Sequence, residues 1–151
     1  RFRRGDAAER AAIYRLYLAH TDCVNNWDLV DSSAPYIVGA YLEDRDSRVL
    51  SRLARSASLW ERRIAIIATL HLIRGNRFDE TLMIAGLLLR DGHDLIHKAV
   101  GWMLREVGKR DLSAEKTFLN KHYTVMPRTM LRYAIEKFPP EDRKMYLERV
   151  A

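Results

Sequence analysis

Apolar residues recur at steps of three and four along most of this chain, the spacing that brings side chains onto one face of an α-helix. One such series is Trp27, Val30, Ala34, Ile37, Val38 and Tyr41. Another is Leu59, Ile66, Ile67, Leu70 and Ile73. No stretch shows the strict alternation of apolar and polar residues that is typical of a strand. The pattern therefore predicts an all-α protein.

Capping residues, glycine and proline predict where these helices begin and end. Asp6 opens the first helix, and Asn25 or Asn26 caps the helix that follows. Pro127 suits the first turn of a later helix, and residues 141–150 form the last one. One helix is predicted to stop at Gly75, a second to end before Gly92, and a third to end at Gly108.

The predicted helices come in pairs joined by short loops, and the second members of the pairs have related openings. These openings read NWDLVD, LWERRIAI, LIHKAVGW and VMPRTMLR. Their reference residues Trp27, Trp60, Ile96 and Met126 follow one another by 33, 36 and 30 positions. A period of this size predicts an α-α superhelix (solenoid) of HEAT-like helical hairpins. The alternative is a compact all-α bundle in which similar helix lengths imitate a repeat.

Length and composition favour one globular domain over residues 1–151. The chain is 48% hydrophobic and 30% charged, and no apolar run reaches the roughly 18 residues of a membrane span. Cys23 is the single cysteine, so no internal disulfide forms, and we expect a buried thiol in a reduced, intracellular protein. Because the chain starts with RFRRG, we expect that N-terminal repeats of a longer protein precede it.

Positive charge is arranged in stripes along the second helices. The net charge is +6 and the pI about 9.7, values that fit nucleic-acid binding if the charge is clustered. Lys98, Trp102, Arg105 and Lys109 are spaced 4, 3 and 4, so they share one helical face. The other second helices add Arg62, Arg63, Arg128 and Arg132. Together they predict a curved cationic groove that follows a phosphate backbone, although one such stripe alone is usually a solvated surface.

Trp27 and Asp31 are four residues apart, so both lie on one face of the same helix. Asp31 is too far along the helix to cap it, whereas Asp28 suits the first turn. If both face the groove, an aromatic ring and a carboxylate would lie inside a cationic wall. In the alternative interpretation, which spacing alone favours, Asp31 pairs with a nearby arginine and Trp27 packs.

Taken together, NNWDLVD, LWERRIAIIATL and KAVGWMLREVGK resemble, in this order and at these separations, the AlkD-like DNA alkylation repair glycosylases. The resemblance covers residues from about 10 to about 145. It implies HEAT-like repeats whose concave face holds double-stranded DNA, with removal of cationic N3- and N7-alkylated purines. It assigns Asp31, Trp27 and Trp102 to catalysis, and Arg63 and Arg105 to DNA binding. The basic stripe adds Arg62, Lys98, Lys109 and Arg128 as DNA-binding residues.

The resemblance further implies that Asp31 stabilises positive charge on the sugar while the lesion stays in the helix. No metal or other cofactor is required; His93 and His97 are four apart, but no third ligand stands out. The sequence gives no reason to expect anything but a monomer. The alternative function is a non-enzymatic HEAT-like scaffold that binds nucleic acid or a protein segment.

Overall fold

The computed structural model describes residues 2–148, and within them every regular element is helical. The α-helices are α1 (Ala7–Ala19), α2 (Trp27–Ala34), α3 (Arg48–Ala54), α4 (Leu59–Ile67), α5 (Thr69–Arg74), α6 (Asp79–Leu87), α7 (Asp94–Arg110), α8 (Leu112–His122), α9 (Arg128–Ala134) and α10 (Pro140–Glu148). Short 3₁₀ turns occupy Phe2–Arg4 and Thr21–Cys23. The all-α prediction is confirmed.

Side-chain caps fix the starts of several helices where the sequence places them. Asp6 accepts a hydrogen bond from the Glu9 backbone N–H at 2.9 Å and opens α1. Asn26, one of the two predicted candidates, accepts from Leu29 N–H at 2.9 Å and opens α2. Each cap satisfies a backbone donor that the first helical turn leaves unpaired.

The helix that begins at Trp27 widens after its eighth residue. Pro35 follows directly and has no N–H to donate, and the chain runs on as a π-helical segment, Pro35–Gly39. A Cβ on Gly39 would lie 2.2 Å from the Ala68 carbonyl oxygen, so this glycine lets the segment approach the junction of α4 and α5. That junction is itself continuous, because Ala68 is helical and its N–H bonds to the Ile64 carbonyl at 2.9 Å.

The structure differs from the predicted boundaries at two of the named residues and leaves a third open. Gly108 does not end its helix, since α7 continues to Arg110. The glycine serves packing instead, because a Cβ there would lie 1.7 Å from Glu115 Oε2. Pro127 precedes α9 as its N-cap rather than standing in the first turn. The predicted end of the last helix at Val150 lies outside the described residues.

Helix α3 is absent from the helices that the apolar periodicity predicts. Leu50, Leu53 and Ala54 are buried in it at helical spacing, and the helix packs against α4 and α6. With seven residues it spans two turns, so its apolar face repeats too few times to stand out in the sequence.

Four second helices contact one another in series: α2 packs on α4, α4 on α7, and α7 on α9. They supply much of the hydrophobic core, including Ile64, Ile66, Ile67, Ile96, Met103 and Leu104, all fully buried. None of the residues of helix α1 is buried, but Tyr14, Tyr17 and Leu18 pack against the core, and Tyr14 stacks on Tyr41 with ring centroids 4.0 Å apart. One surface therefore runs across α2, α4, α7 and α9.

Candidate active site

Asp31 and Arg63 form a two-pronged ion pair between α2 and α4. Arg63 Nε donates to Asp31 Oδ1 at 3.1 Å, and Arg63 Nη2 donates to Oδ2 at 2.9 Å. The Arg63 side chain is 7% exposed and that of Asp31 18% exposed, so the Asp31 side chain remains partly open to solvent. Parallel N–H···O bonds of this kind fix the orientation of both groups.

The same guanidinium ties a third helix to the pair. Arg63 Nη1 donates to the carbonyl oxygen of Leu95, in the first turn of α7. A chain of contacts from Asp31 through Arg63 to Leu95 therefore crosses α2, α4 and α7. A shift of one helix would disturb the other two through these bonds, which makes the carboxylate a rigidly held group.

Trp27 lies on α2 one turn before Asp31 and is 54% exposed. It is not among the partly buried side chains that pack on the core, although Trp60 and Trp102 are. The interpretation that Asp31 pairs with an arginine is therefore confirmed, while its other half, that Trp27 packs, is wrong. An indole ring this exposed is accessible to a ligand that binds at this surface.

Trp102 is held through its ring nitrogen on α7. Its Nε1 donates to Glu106 Oε1 at 3.1 Å, and the same oxygen accepts from Lys109 Nζ at 2.9 Å. These contacts orient the indole and occupy the ammonium group, so Lys109 is not a free cation in this conformation.

Arg62 points away from the Asp31 pair and fixes a loop. Its Nε donates to Asp91 Oδ2 at 2.7 Å, and its Nη1 donates to the carbonyls of Ser56 at 3.2 Å and Ala57 at 3.0 Å. Asp91 in turn accepts from His93 N–H at 2.9 Å. The sequence predicts a DNA contact for Arg62, but its donors hold the loop that leads into α7.

All but one of the other predicted cations also have acidic or carbonyl partners. Arg105 pairs with Glu136 between α7 and the end of α9. Lys98 pairs with Asp94 at 3.1 Å, and Arg128 Nη1 donates to the Leu147 carbonyl at 3.1 Å. Arg132 on α9 has no hydrogen-bond or ion-pair partner among residues 2–148. Most cations of the stripe are thus already bound to groups of the protein itself. A phosphate would have to compete with those acidic or carbonyl partners.

Lys98 on α7 carries a perturbed pKa. The hydrogen bond and the charge of Asp94 raise the pKa of Lys98 above its ordinary value. Tyr133 adds to the rise and the positive charge of Arg63 opposes it, which places Lys98 within electrostatic reach of both.

The residues considered for metal binding have other contacts or lie at the surface. His93 caps α7 by accepting from Leu95 N–H at 3.1 Å, and His97 bonds to the Asp91 carbonyl. Cys23 is exposed, not buried as expected, because it falls in a surface turn. His20, Asp22 and Cys23 bring ligand atoms within 4.8 Å of one another, all three side chains being exposed.

The sequence did not indicate the role of residues 91–95, which form the loop before α7 and the start of that helix. Arginines 62 and 63 are neighbours in the chain, yet one binds Asp91 and the other binds both Asp31 and the Leu95 carbonyl. Backbone carbonyls carry no residue-specific signal, and an ion pair between residues 32 apart in the chain depends on how the helices stack. Within residues 2–148, none of the helices has both the length and the apolar character needed to cross a bilayer.

Comparison with known proteins adds one finding. The family model described as DNA alkylation repair enzyme matches residues 2–138. Comparisons with curated proteins and with solved structures gave no match.

Proposed function

This chain belongs to the family of DNA alkylation repair enzymes, and from that premise we propose that it is a monofunctional DNA glycosylase. The substrate would be double-stranded DNA carrying a cationic N3- or N7-alkylated purine. The observation that carries the proposal is the partly exposed Asp31 carboxylate, fixed by Arg63 one helical turn from the exposed ring of Trp27. This arrangement suits stabilisation of a short-lived positive charge.

The reaction needs little proton transfer to the base. An N3- or N7-alkylated purine already carries positive charge, so it leaves as a neutral base when it takes the electron pair of the C1′–N bond. The deoxyribose then has oxocarbenium character, and water adds to C1′ with loss of a proton. Asp31 would stabilise the sugar cation, an interaction that is stronger in the transition state than in the ground state.

Pairing with Arg63 leaves part of the hydrogen-bond accepting capacity of the Asp31 carboxylate unused. Each carboxylate oxygen has two lone pairs, and the two guanidinium bonds use one on each oxygen. The remaining lone pairs and the 18% exposed surface can face a sugar or a water molecule. The arginine weakens the net negative field, but it removes the need to reorient the carboxylate during the reaction.

The tryptophans and cations would hold the DNA. The exposed face of Trp27 can contact a cationic base or deoxyribose by cation–π and C–H contacts, with Trp102 further along the surface. We assign Arg105, Lys98, Lys109 and Arg128 to phosphates, which requires exchange of their present acidic or carbonyl partners. The serial packing of α2, α4, α7 and α9 supports a HEAT-like solenoid with an open groove, in which a monomer acts on a lesion that stays stacked.

The test is excision of methylated purines by the wild type, Asp31→Asn and Asp28→Asn. With methylated duplex DNA, wild type should release free 3-methyladenine or 7-methylguanine. Asp31→Asn should reduce release by at least about 100-fold, the usual cost of one transition-state contact, while binding to the same DNA persists. Asp28→Asn removes an exposed carboxylate from the same helix and should keep nearly full activity.

Circular dichroism on each variant separates loss of chemistry from loss of folding, since Asp31 also neutralises Arg63. Normal turnover by a folded Asp31→Asn variant would reject the catalytic role. Duplex binding without release by the wild type would reject the glycosylase and favour the scaffold, for which the structural pairing of Asp31 with Arg63 would be sufficient explanation.

A further inference from the structure

The turn between α1 and α2 brings three different metal-binding side chains together outside the Asp31 site. The ligand atoms of His20, Asp22 and Cys23 all lie within 4.8 Å of one another. Zinc binds nitrogen, oxygen and sulfur at about 2.0–2.3 Å, so the ligand atoms around a tetrahedral ion lie roughly 3.3–3.8 Å apart. Small side-chain rotations at this surface would therefore bring all three donors to bonding distance of one ion.

The backbone holds the three ligands in one turn. Cys23 N–H donates to the His20 carbonyl at 3.0 Å, which closes the turn between the first and the last ligand. The Thr21 hydroxyl, between them in the chain, donates to Glu61 Oε2 at 3.2 Å and attaches the turn to α4. An ion would meet ligands that are already gathered, so binding costs less conformational entropy than it would in a flexible segment.

The three side chains are available to a ligand from solvent. All are exposed, and none makes a hydrogen bond or an ion pair with another group in residues 2–148. Other histidines differ, since His71 lies 3.6 Å from Glu43, and His93 and His97 bond to backbone groups around the start of α7. A nitrogen, an oxygen and a sulfur donor thus lie together without a partner in the described part of the chain.

This set of donors favours zinc over the other common divalent ions. Calcium and magnesium prefer oxygen ligands, whereas a thiolate and an imidazole both suit zinc. Three protein ligands and one water molecule complete a tetrahedral zinc site. Cys23 would bind as the thiolate, so its proton passes to solvent when the ion binds.

We propose that His20, Asp22 and Cys23 bind one Zn²⁺ ion, which fastens the end of α1 to the segment that leads into α2. His20 is the C-cap of α1, and Asn26, three residues after Cys23, caps α2. Because no residue of α1 is buried, the ion strengthens an attachment that otherwise depends on partly buried side chains. The site is structural and does not depend on the proposed glycosylase chemistry.

The first test is a titration of the reduced, metal-free protein with Co²⁺, which occupies zinc sites and reports a sulfur ligand by a near-ultraviolet charge-transfer band. Because Cys23 is the single cysteine, the band identifies its ligand directly. The wild type should give the band with one equivalent of Co²⁺ and lose it when Zn²⁺ is added, and Cys23→Ser should give no band. Absence of the band in the wild type, or one ion shared by two chains, would overturn the proposal.

Zinc affinity, measured by competition with a coloured chelator, tests the other two ligands. His20→Ala and Asp22→Asn should each weaken binding about tenfold or more, since even changes behind a metal ligand cost about 10–100-fold. The matched controls should bind zinc as the wild type does. They are Asp28→Asn, which removes another exposed carboxylate, and His93→Asn, which keeps a side-chain acceptor for the cap of α7.

Unchanged affinity in either ligand variant, or equal weakening in its control, would contradict the assigned ligand set. Since the three side chains are exposed, these substitutions should leave the fold intact, which circular dichroism checks.

Thermal unfolding shows whether the ion binds the folded turn. An ion that binds the folded state alone raises Tm as its free concentration exceeds the dissociation constant. Zinc should raise the Tm of the wild type and of Asp31→Asn alike, but not that of Cys23→Ser. An equal rise in Cys23→Ser would place the ion elsewhere. Excision assays report on Asp31 alone, so failure of one proposal leaves the other measurable.

Discussion

At the scale of single residues, the pairing of Asp31 explains why a carboxylate can sit in the middle of a helix beside a tryptophan. A charge that is mostly removed from water needs a partner with matching geometry, and Arg63 provides two parallel bonds. The spacing of Trp27 and Asp31 correctly placed them on one helical face. The assignment of Arg63 to phosphate overlooked its role in holding the acid, because the two residues meet only through helix packing.

Glu115 gives a prediction about stability at the same scale. Its pKa rises from an ordinary 4.5 to about 8 in the folded protein, so between these values the folded state binds more protons than the unfolded state. The free energy of unfolding should therefore fall as the pH rises. The contribution is complete below about pH 4.5 and lost above about pH 8. Urea unfolding at about pH 5 and about pH 8.5 measures it.

Glu115→Gln isolates this effect because glutamine does not titrate. The wild type should lose on the order of 2–4 kcal/mol more than the variant between the two pH values, as a shift of several pKa units implies. Parallel pH profiles for the two proteins would show that Glu115 is not buried in the way described.

At the scale of elements, close contacts between helices depend on missing Cβ atoms. Gly101 lies where α7 crosses α9, and a Cβ there would lie 2.4 Å from Tyr133 Cβ and 2.5 Å from the Met130 carbonyl oxygen. The backbone atoms on the α9 side cannot rotate out of the way. The close crossing of α7 and α9 therefore depends on Gly101, which carries no side chain.

The matched pair Gly101→Ala and Gly86→Ala tests this account. Gly101→Ala should destabilise the protein by about 1–3 kcal/mol or more, because α7 and α9 must separate to admit the methyl group. A Cβ on Gly86 in α6 meets nothing within 4 Å, so Gly86→Ala should stabilise by up to about 1 kcal/mol through helix propensity. Thermal or urea unfolding measures both; equal effects of the same sign would contradict the packing argument.

At the scale of the whole molecule, the net charge of +6 and its internal pairing act in opposite directions on DNA binding. The excess of positive charge attracts a polyanion, but Arg62, Arg105, Lys98 and Lys109 already contact acids. Each phosphate that replaces such an acid gains less than one that meets a free cation. If DNA displaces these acids, its affinity should depend strongly on salt, because each phosphate that a cation neutralises releases counterions.

Counterion release predicts the size of this salt dependence. If about five phosphates are neutralised, log K plotted against log salt should have a slope near −4.5. Fluorescence anisotropy of a labelled duplex at several salt concentrations gives the slope. A slope near zero would mean that the cations remain paired with Glu136, Glu106 and Asp94 and that the groove does not follow a phosphate backbone.

Much of the local structure could be predicted from the sequence because its causes are local. Helical periodicity, the Asp6 and Asn26 caps and the stop at Gly75 each depend on a few neighbouring residues. Gly108 shows the limit of such reasoning, since glycine after an apolar run suggests a helix end. Here it accommodates the carboxyl of Glu115 instead, a requirement that only the neighbouring helix imposes.

By itself, the sequence determined the all-α class, most helices and the shared face of Trp27 and Asp31, because backbone hydrogen bonds and side-chain spacing act within a few residues. Only the tertiary structure decided that Arg63 holds Asp31, that Arg62 holds Asp91 in the loop before α7 and that Glu115 is buried within electrostatic reach of Arg105. These pairings join residues far apart in the chain. The stacking of whole helices brings them together, and no local pattern specifies which charges then meet.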